Sequence, residues 1–383
     1  MRVGIMSMQR VVNHGSFMQA YGLQSMIRSL GYEAIFVDYT PSPCARGLRS
    51  GGQAFKDWLG RRKADVRFTK AGRNLLLATG VYAPSDLDLK YDSCLPLLGV
   101  DPFHRNIGEY VDVLVVGSDE VFNCTQVGPN VGFCEQLLGK GGNCGRTISY
   151  AGSFGHTTIA DLRKLGLEDR VADCFDSFDR ISVRDANSLS ILHELGFTDV
   201  NSHLDPVLVS GLENNKWKTV ELPYRYALVY GYGNRFTREE GEEIRKVAKA
   251  RGLKLVSVYG HQLFCDENVD CRPDEILGYF TNAEFVVTDT FHGSIFSAIT
   301  HKPFASIARG QNSNKLTDLL AKLGFSERLV TEGKSISDIL AQDCSFSIAD
   351  RVRSEEASRS LAYLREGITG FDDKVGGWDS NNG

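Results

Sequence analysis

The residues best suited to chemistry lie in Thr288-Asp289-Thr290-Phe291-His292-Gly293, directly after the apolar run Phe285-Val286-Val287. An unbroken run of β-branched and aromatic residues reads as a buried strand. Residues 294–299 read as the start of a helix. A histidine and a glycine therefore sit on a tight turn at the carboxyl end of a strand, where open α/β sheets bind ligands. His292 is placed there for proton transfer near neutral pH. Gly293 lets the backbone approach an anion, and the amides of Gly293 and Ser294 supply the unpaired N–H groups of a helix start. Three more strands end in small or charged clusters: Gly117-Ser118-Asp119-Glu120, Gly152-Ser153-Phe154-Gly155 and Arg184-Asp185. Strand ends of this kind on one edge imply one shared cleft.

The elements that must hold these turns alternate strand and helix. Residues 3–6 form a first strand, and Ser16-Phe17-Met18-Gln19 has the Ser-x-x-Gln pattern of a capping box. Ala20, Leu23, Ile27 and Leu30 share one helical face, and Gly31 fits the left-handed stop. Residues 33–39 give the next strand, and residues 111–116, 148–151 and 181–183 continue the sheet. Asp205-Pro206 reads as a strand exit and a hinge, and residues 207–223 as a linker. A second unit starts with a strand at 226–230. It runs through a helix at 237–251, a strand at 253–259 and a helix opened by Pro273. The His292 turn, a strand at 303–307 and a helix at 315–323 complete it.

The expectation is an α/β chain of two Rossmann-like domains facing a cleft. The N-terminal domain spans 1–206 with a basic insertion at about 40–110, and the C-terminal domain spans 224–345. A helix at 346–370 returns to the first domain, and a polar tail at 371–383 is expected to be disordered. The first unit lacks G-x-G-x-x-G, so no dinucleotide cofactor is inferred.

Composition excludes several classes. At 383 residues, with 42% hydrophobic and 24% charged content, the chain is an ordinary globular protein. No apolar run approaches the roughly 20 residues that span a bilayer, and the apolar start is too short for a signal peptide. The nine cysteines include no C-x-x-C pair, and the intervals of ten between Cys124, Cys134 and Cys144 match no common zinc pattern. A reducing cytoplasm and no metal site are expected. A net charge of −5 argues against nucleic acid as a partner. Within that acidic total, residues 46–73 carry nine basic residues and only the acids Asp57 and Asp65, a local net charge of +7. With Phe55, Trp58, Leu59 and Phe68 interleaved, this run is either a solvated excursion or a surface for anionic headgroups.

The ordered motifs resemble the polysaccharide pyruvyl transferase family over roughly residues 3–330. Asn13-His14-Gly15-Ser16-Phe17-Met18-Gln19-Ala20 is similar to its opening segment, and Gly117-Ser118-Asp119-Glu120-Val121-Phe122-Asn123 to its Gly-Ser-Asp-Gln-x-Trp-Asn segment. Ser149 to Gly155, Ser182-Val183-Arg184-Asp185, Leu204-Asp205-Pro206 and Phe291-His292-Gly293 follow in order. Glu120 stands where glutamine is usual and Phe122 where tryptophan is usual. Thr290 stands where some relatives carry arginine.

The resemblance implies a GT-B-like pair of domains and phosphoenolpyruvate as donor, with no cofactor. It also implies a sugar of a growing surface glycan, such as a capsule or exopolysaccharide on a lipid-linked precursor, as acceptor. The product is a pyruvate ketal, with release of phosphate. A cytoplasmic enzyme that touches the inner face of the membrane fits that acceptor. The alternatives are a GT-B glycosyltransferase using a sugar nucleotide and a non-catalytic glycan-binding member.

For this chemistry Arg184 is the first candidate cation for the donor, with the Gly293 and Ser294 amides second and Arg309 and Lys315 after them. His292 serves as general acid or base, or packs the domain interface. Asp119 deprotonates the acceptor or caps a helix. Asp289 orients His292 or caps the following turn. Asn13, Gly15, Ser118, Glu120 and Ser153 are expected to contact substrate, and Phe122 to stack on a sugar ring. His14 faces the cleft or a surface loop, and His203 and His301 are structural.

Overall fold

The structure, a computed structural model, describes residues 1–43, 45, 52–53, 56, 59, 69–80, 84–127, 132–215, 217–310 and 313–370. The long Val- and Ile-rich runs form two six-stranded sheets. The first contains β1 (Arg2–Met6), β2 (Glu33–Phe36), β3 (Val111–Asp119), β4 (Cys144–Gly152), β5 (Ile181–Val183) and β6 (Val200–Ser202), in the order β2-β1-β3-β4-β5-β6. The second contains β7 (Tyr226–Gly231), β8 (Lys254–Tyr259), β9 (Glu267–Val269), β10 (Val286–Thr288), β11 (Phe304–Ile307) and β12 (Leu329–Val330), in the order β12-β11-β10-β7-β8-β9. Every strand pair is parallel. Parallel sheets must be covered on both faces, which is why the central strands are apolar throughout rather than alternating.

Each sheet reverses its winding once, between β1 and β3 in the first and between β7 and β10 in the second. Ligands of open α/β sheets sit at such reversals. Asn13 follows β1, Glu120 follows β3, Tyr232 follows β7 and Thr290 follows β10. Both reversal points thus deliver side chains to one cleft. This is the two-domain α/β arrangement that the alternating pattern led us to expect. The three-residue and two-residue strands β6, β9 and β12 were not expected, being too short to stand out.

Two local expectations are corrected. The helix His14–Ser29 is capped by Asn13, whose side chain accepts from Ser16 N at 3.2 Å, and not by Ser16. The Ser16 hydroxyl donates to Asp119 Oδ2 at 2.5 Å, and Gln19 Oε1 accepts from Ser118 Oγ at 2.5 Å. Both side chains are drawn into a buried layer, where an unpaired polar group costs more than a missing cap at a solvated end. The segment after Asp205 is no loose linker. Asp205 caps a short helix, Pro206–Val209, and Val207, Leu208 and Leu212 are buried. They share one apolar cluster with Phe17 and Met18 of the first unit and Ile295 and Phe296 of the second. A continuous core, rather than a hinge, lies at the join.

The last helix, Ser347–Thr369, lies on the first sheet. Tyr363 donates its hydroxyl to Ser149 O at 2.8 Å, and Arg180 pairs with Glu366 at 3.0 Å. Most of the basic run, including Arg46, Arg49, Arg61, Arg62, Lys63, Arg67, Phe55, Trp58 and Phe68, lies outside the described residues, as does the tail at 371–383. Arg73 is described and is not a surface cation. It is buried, paired with Asp92 at 2.8 Å, with its guanidinium over the Phe103 ring. Among the described residues no helix is long and apolar enough to cross a membrane.

Candidate active site

A cavity of about 280 Å³ opens where the two reversal points meet. The first unit supplies Asn13, Glu120 and His156, and the second supplies Tyr232, Arg235, Tyr259, Phe291, His292 and Lys315. Asn13 and Thr290 cap the helices His14–Ser29 and Phe291–Ile299, so two helix N-termini, one from each unit, border the cavity. Partial positive charge at such ends favours an anion. Asn13 Nδ2 crosses the cleft to the hydroxyls of Tyr232 at 3.1 Å and Tyr259 at 3.3 Å.

His292 lines this cavity with its side chain 13% exposed. Its Nε2 is buried, 3.4 Å from Asp205 Oδ2, which is ion-pair length rather than a formed hydrogen bond. Asp205 is therefore the carboxylate facing His292, and Asp289 is not. Asp289 points away, to Arg235 at 3.1 Å and Arg309 at 3.5 Å. Its burial raises its carboxyl above the usual range, and the two arginines only partly offset this. Gly15 faces His292 from the first unit. A methyl group at Gly15 would lie 2.1 Å from His292 Nδ1, so only glycine permits this approach.

Arg184 is neither a surface cation nor part of the cavity lining. It is 5% exposed, pairs with Asp205 Oδ2 at 2.6 Å and stacks on the Phe291 ring, 4.6 Å from its centroid. Burial would raise the Asp205 carboxyl. Contact with His292 and Arg184 outweighs this and holds it at about 2, so the carboxylate stays charged.

Asp119 sits with φ +87, a conformation costly for a side chain with a Cβ. Its two oxygens are taken by Ser16 Oγ at 2.5 Å and the Glu120 amide at 2.8 Å, and it does not line the cavity. Glu120 does line it, bonded to Lys315 Nζ and accepting from Asn123 Nδ2 at 2.9 Å. Burial would raise its carboxyl, but Lys315 and Asn123 bring it down to about 2.

Several expected contacts are withdrawn. Ser118 and Ser153 are fully buried and bonded to Gln19 and Asp185 respectively, each at 2.5 Å. Phe122 is fully buried among Phe154, Phe175 and Phe178 and offers no face to a sugar, because its ring packs into the core against Gly152, where a Cβ would lie 2.2 Å from it. The Gly293 amide donates to its own cap, Thr290 Oγ1, at 2.9 Å, and Ser294 N turns back to Thr290 O at 3.4 Å, so neither is an open donor. The tight fit of Gly293 is against Thr288, where a Cβ would lie 2.1 Å from Oγ1. Arg309 grips Glu240 with two bonds, at 2.9 and 2.7 Å. His14 is buried, with Nε2 3.1 Å from Cys271 O, and burial pulls it down to about 4. His203 is buried against Tyr150 and Tyr363, and His301 pairs with Asp350 at 2.9 Å.

The site residues missed from sequence are His156, Asp205, Tyr232, Arg235 and Tyr259. Tyr232 and Arg235 follow β7 and Tyr259 ends β8, so the strand-end rule applied to the second unit as strictly as to the first would have found them. Asp205 carried the signal of a carboxylate just past a strand, masked by the proline after it.

The family model described as polysaccharide pyruvyl transferase matches residues 13–311 of the chain. No curated protein matches it. Among solved structures, a UDP-forming α,α-trehalose-phosphate synthase from Burkholderia xenovorans in complex with glucose-6-phosphate shares 10% identity over 97% of this chain and all of that one, with a TM-score of 0.48. The UDP-GlcNAc 2-epimerase of Methanocaldococcus jannaschii shares 10% identity over 97% of this chain and 100% of that one, with a TM-score of 0.45. Likenesses this distant say nothing about ligands.

Proposed function

The chain belongs to the polysaccharide pyruvyl transferase family, and from that premise we propose that it moves the pyruvyl group of phosphoenolpyruvate onto two hydroxyls of one sugar, forming a ketal and releasing phosphate. The observation that supports this most is His292 on the lining of a cavity that also holds Arg235, Lys315 and the ends of two helices. Phosphoenolpyruvate carries a carboxylate and a phosphate, and two cations beside the positive ends of two helices answer both. Arg235 and Lys315 already hold carboxylates, Asp289 and Glu120, which the donor's anionic groups displace.

The chemistry moves two protons. One sugar hydroxyl gives up its proton, the donor's methylene carbon gains one, and its central carbon becomes electrophilic. The sugar oxygen attacks there, the C–O bond to phosphate breaks, and the second hydroxyl closes the ring. Of the two hydroxyl protons lost, one ends on the new methyl group and one leaves with phosphate. His292 accepts and returns a proton in this sequence.

The acceptor in this reading is a glycan on a lipid carrier at the inner face of the membrane, and the basic run between residues 46 and 70 meets the anionic headgroups. The test is phosphate release from phosphoenolpyruvate with a panel of lipid-linked glycans, alongside thermal shift with phosphoenolpyruvate, UDP and GDP. Stabilisation by UDP or GDP but not phosphoenolpyruvate would replace this reading with sugar-nucleotide transfer. For the membrane contact, co-sedimentation with anionic vesicles that is lost at high salt is expected. Its absence would remove that part alone.

A further inference from the structure

The two ring nitrogens of His292 have different surroundings. Nε2 is buried, forms no hydrogen bond among the described residues and looks onto the charged Asp205 carboxylate at 3.4 Å. Nδ1 has no partner among the described residues either, but it is not buried, and the ring lines the cavity. Gly15 explains how that side stays open. A Cβ there would lie 2.1 Å from Nδ1, 2.3 Å from Cγ and 2.6 Å from Cε1. Near-equal distances to three ring atoms place it over the face of the ring rather than in its plane. The glycine thus covers the face at Nδ1 and leaves the in-plane lone pair free.

We propose that His292 works through Nδ1, with Asp205 as a positioning residue that keeps the resting proton on Nε2. A carboxylate beside one ring nitrogen selects the tautomer with its proton there. Asp205 is itself fixed: Val207 N donates to its Oδ1 at 3.0 Å, and Arg184 holds its Oδ2 at 2.6 Å. In the step this serves, a sugar O–H bond breaks and its proton passes to Nδ1. The imidazolium so formed keeps its Nε2–H toward Asp205, and its charge is balanced in place. The same Nδ1–H then delivers the proton to the donor's methylene carbon or to the departing phosphate. Asp205 belongs to the first unit and His292 to the second, so the pair is complete only with the domains in contact. The proposal rests on the pyruvyl-transfer reading for its substrates, but the tautomer stands apart from it.

The experiment is nitrogen NMR of full-length protein labelled with ¹⁵N-histidine, with His292 assigned by its loss in His292→Ala. With the ring neutral, the wild type is expected to show a protonated Nε2 and a bare Nδ1. Asp205→Asn, checked for folding by circular dichroism, is expected to lose that preference and at least tenfold in turnover, with the apparent donor KM little changed. Nδ1-methylhistidine installed at position 292 is expected to lower turnover at least a hundredfold. A bare Nε2 in the wild type, or near-normal turnover with the methylated ring, would overturn the proposal. If the wild type shows the expected tautomer but releases no phosphate from phosphoenolpyruvate, the pyruvyl-transfer reading fails and the tautomer assignment survives.

Discussion

Glu120 of the first unit and Lys315 of the second form an ion pair across the mouth of the cleft. The pair occupies a cation that an anionic donor needs. Replacing the carboxylate by its neutral amide frees that cation while preserving shape. Glu120→Gln is expected to tighten phosphoenolpyruvate binding by about tenfold, the scale of one charge-assisted contact regained. Calorimetric titration decides: an unchanged or weakened dissociation constant removes Lys315 from donor binding.

Gly15→Ala is expected to abolish activity without unfolding the protein. The added methyl meets the His292 ring at 2.1 Å, so the ring or the helix must shift. A shift of about 1 Å at a reacting group costs roughly a hundredfold in rate. Phosphate release should fall by at least that factor while far-ultraviolet dichroism is unchanged. Retention of a third or more of wild-type turnover would show that the ring position does not matter.

Phe122→Ala is expected to cost about 3–5 kcal/mol of stability, as for other large-to-small core changes. The ring is fully buried against Phe154, Phe175 and Phe178. Urea unfolding measures the loss. The acceptor KM of the folded fraction should not move; a rise of tenfold would restore this side chain to the sugar site.

Stability is expected to fall as pH drops from about 6.5 to about 4. Burial holds His14 and His203 at about 4, against 6.5 when unfolded. In that window the unfolded chain binds more protons, so acid favours unfolding, by up to about 3 kcal/mol for each histidine. Asp205 and Glu120, both held at about 2 in the folded state, add a second loss only below their unfolded values of 3.8 and 4.5. Urea midpoints across pH 4.5–7.5 test this, and His203→Phe should flatten the slope by about half. A midpoint that is constant from pH 7 to 5 would contradict it.

The parallel sheets and the turn around His292 were legible because each depends on local patterns: unbroken apolar runs, and a glycine after a strand. What surrounds His292 was not, because it is set by residues brought from far along the chain. Asp205 and Asp289 are equally good carboxylates in sequence, and Asp289 is the nearer neighbour of His292. Its strand turns it instead to Arg235 and Arg309. Ser118, Phe122 and Ser153 sit in motifs beside the cleft but point inward. Their motif order reflects the packing that shapes the strand ends rather than contact with a ligand.

The helix Ser347–Thr369 covers the first sheet, yet it is the last described element to be made. Its Tyr363 closes onto Ser149 and its Arg359 reaches Ser202. On the ribosome, the second sheet is therefore synthesised before the first has its lid. The nascent first domain must wait with that apolar face open while roughly 150 further residues emerge, a delay of about ten to thirty seconds at ordinary elongation rates. A fragment ending before the helix is expected to expose that face and to aggregate more readily than the full chain.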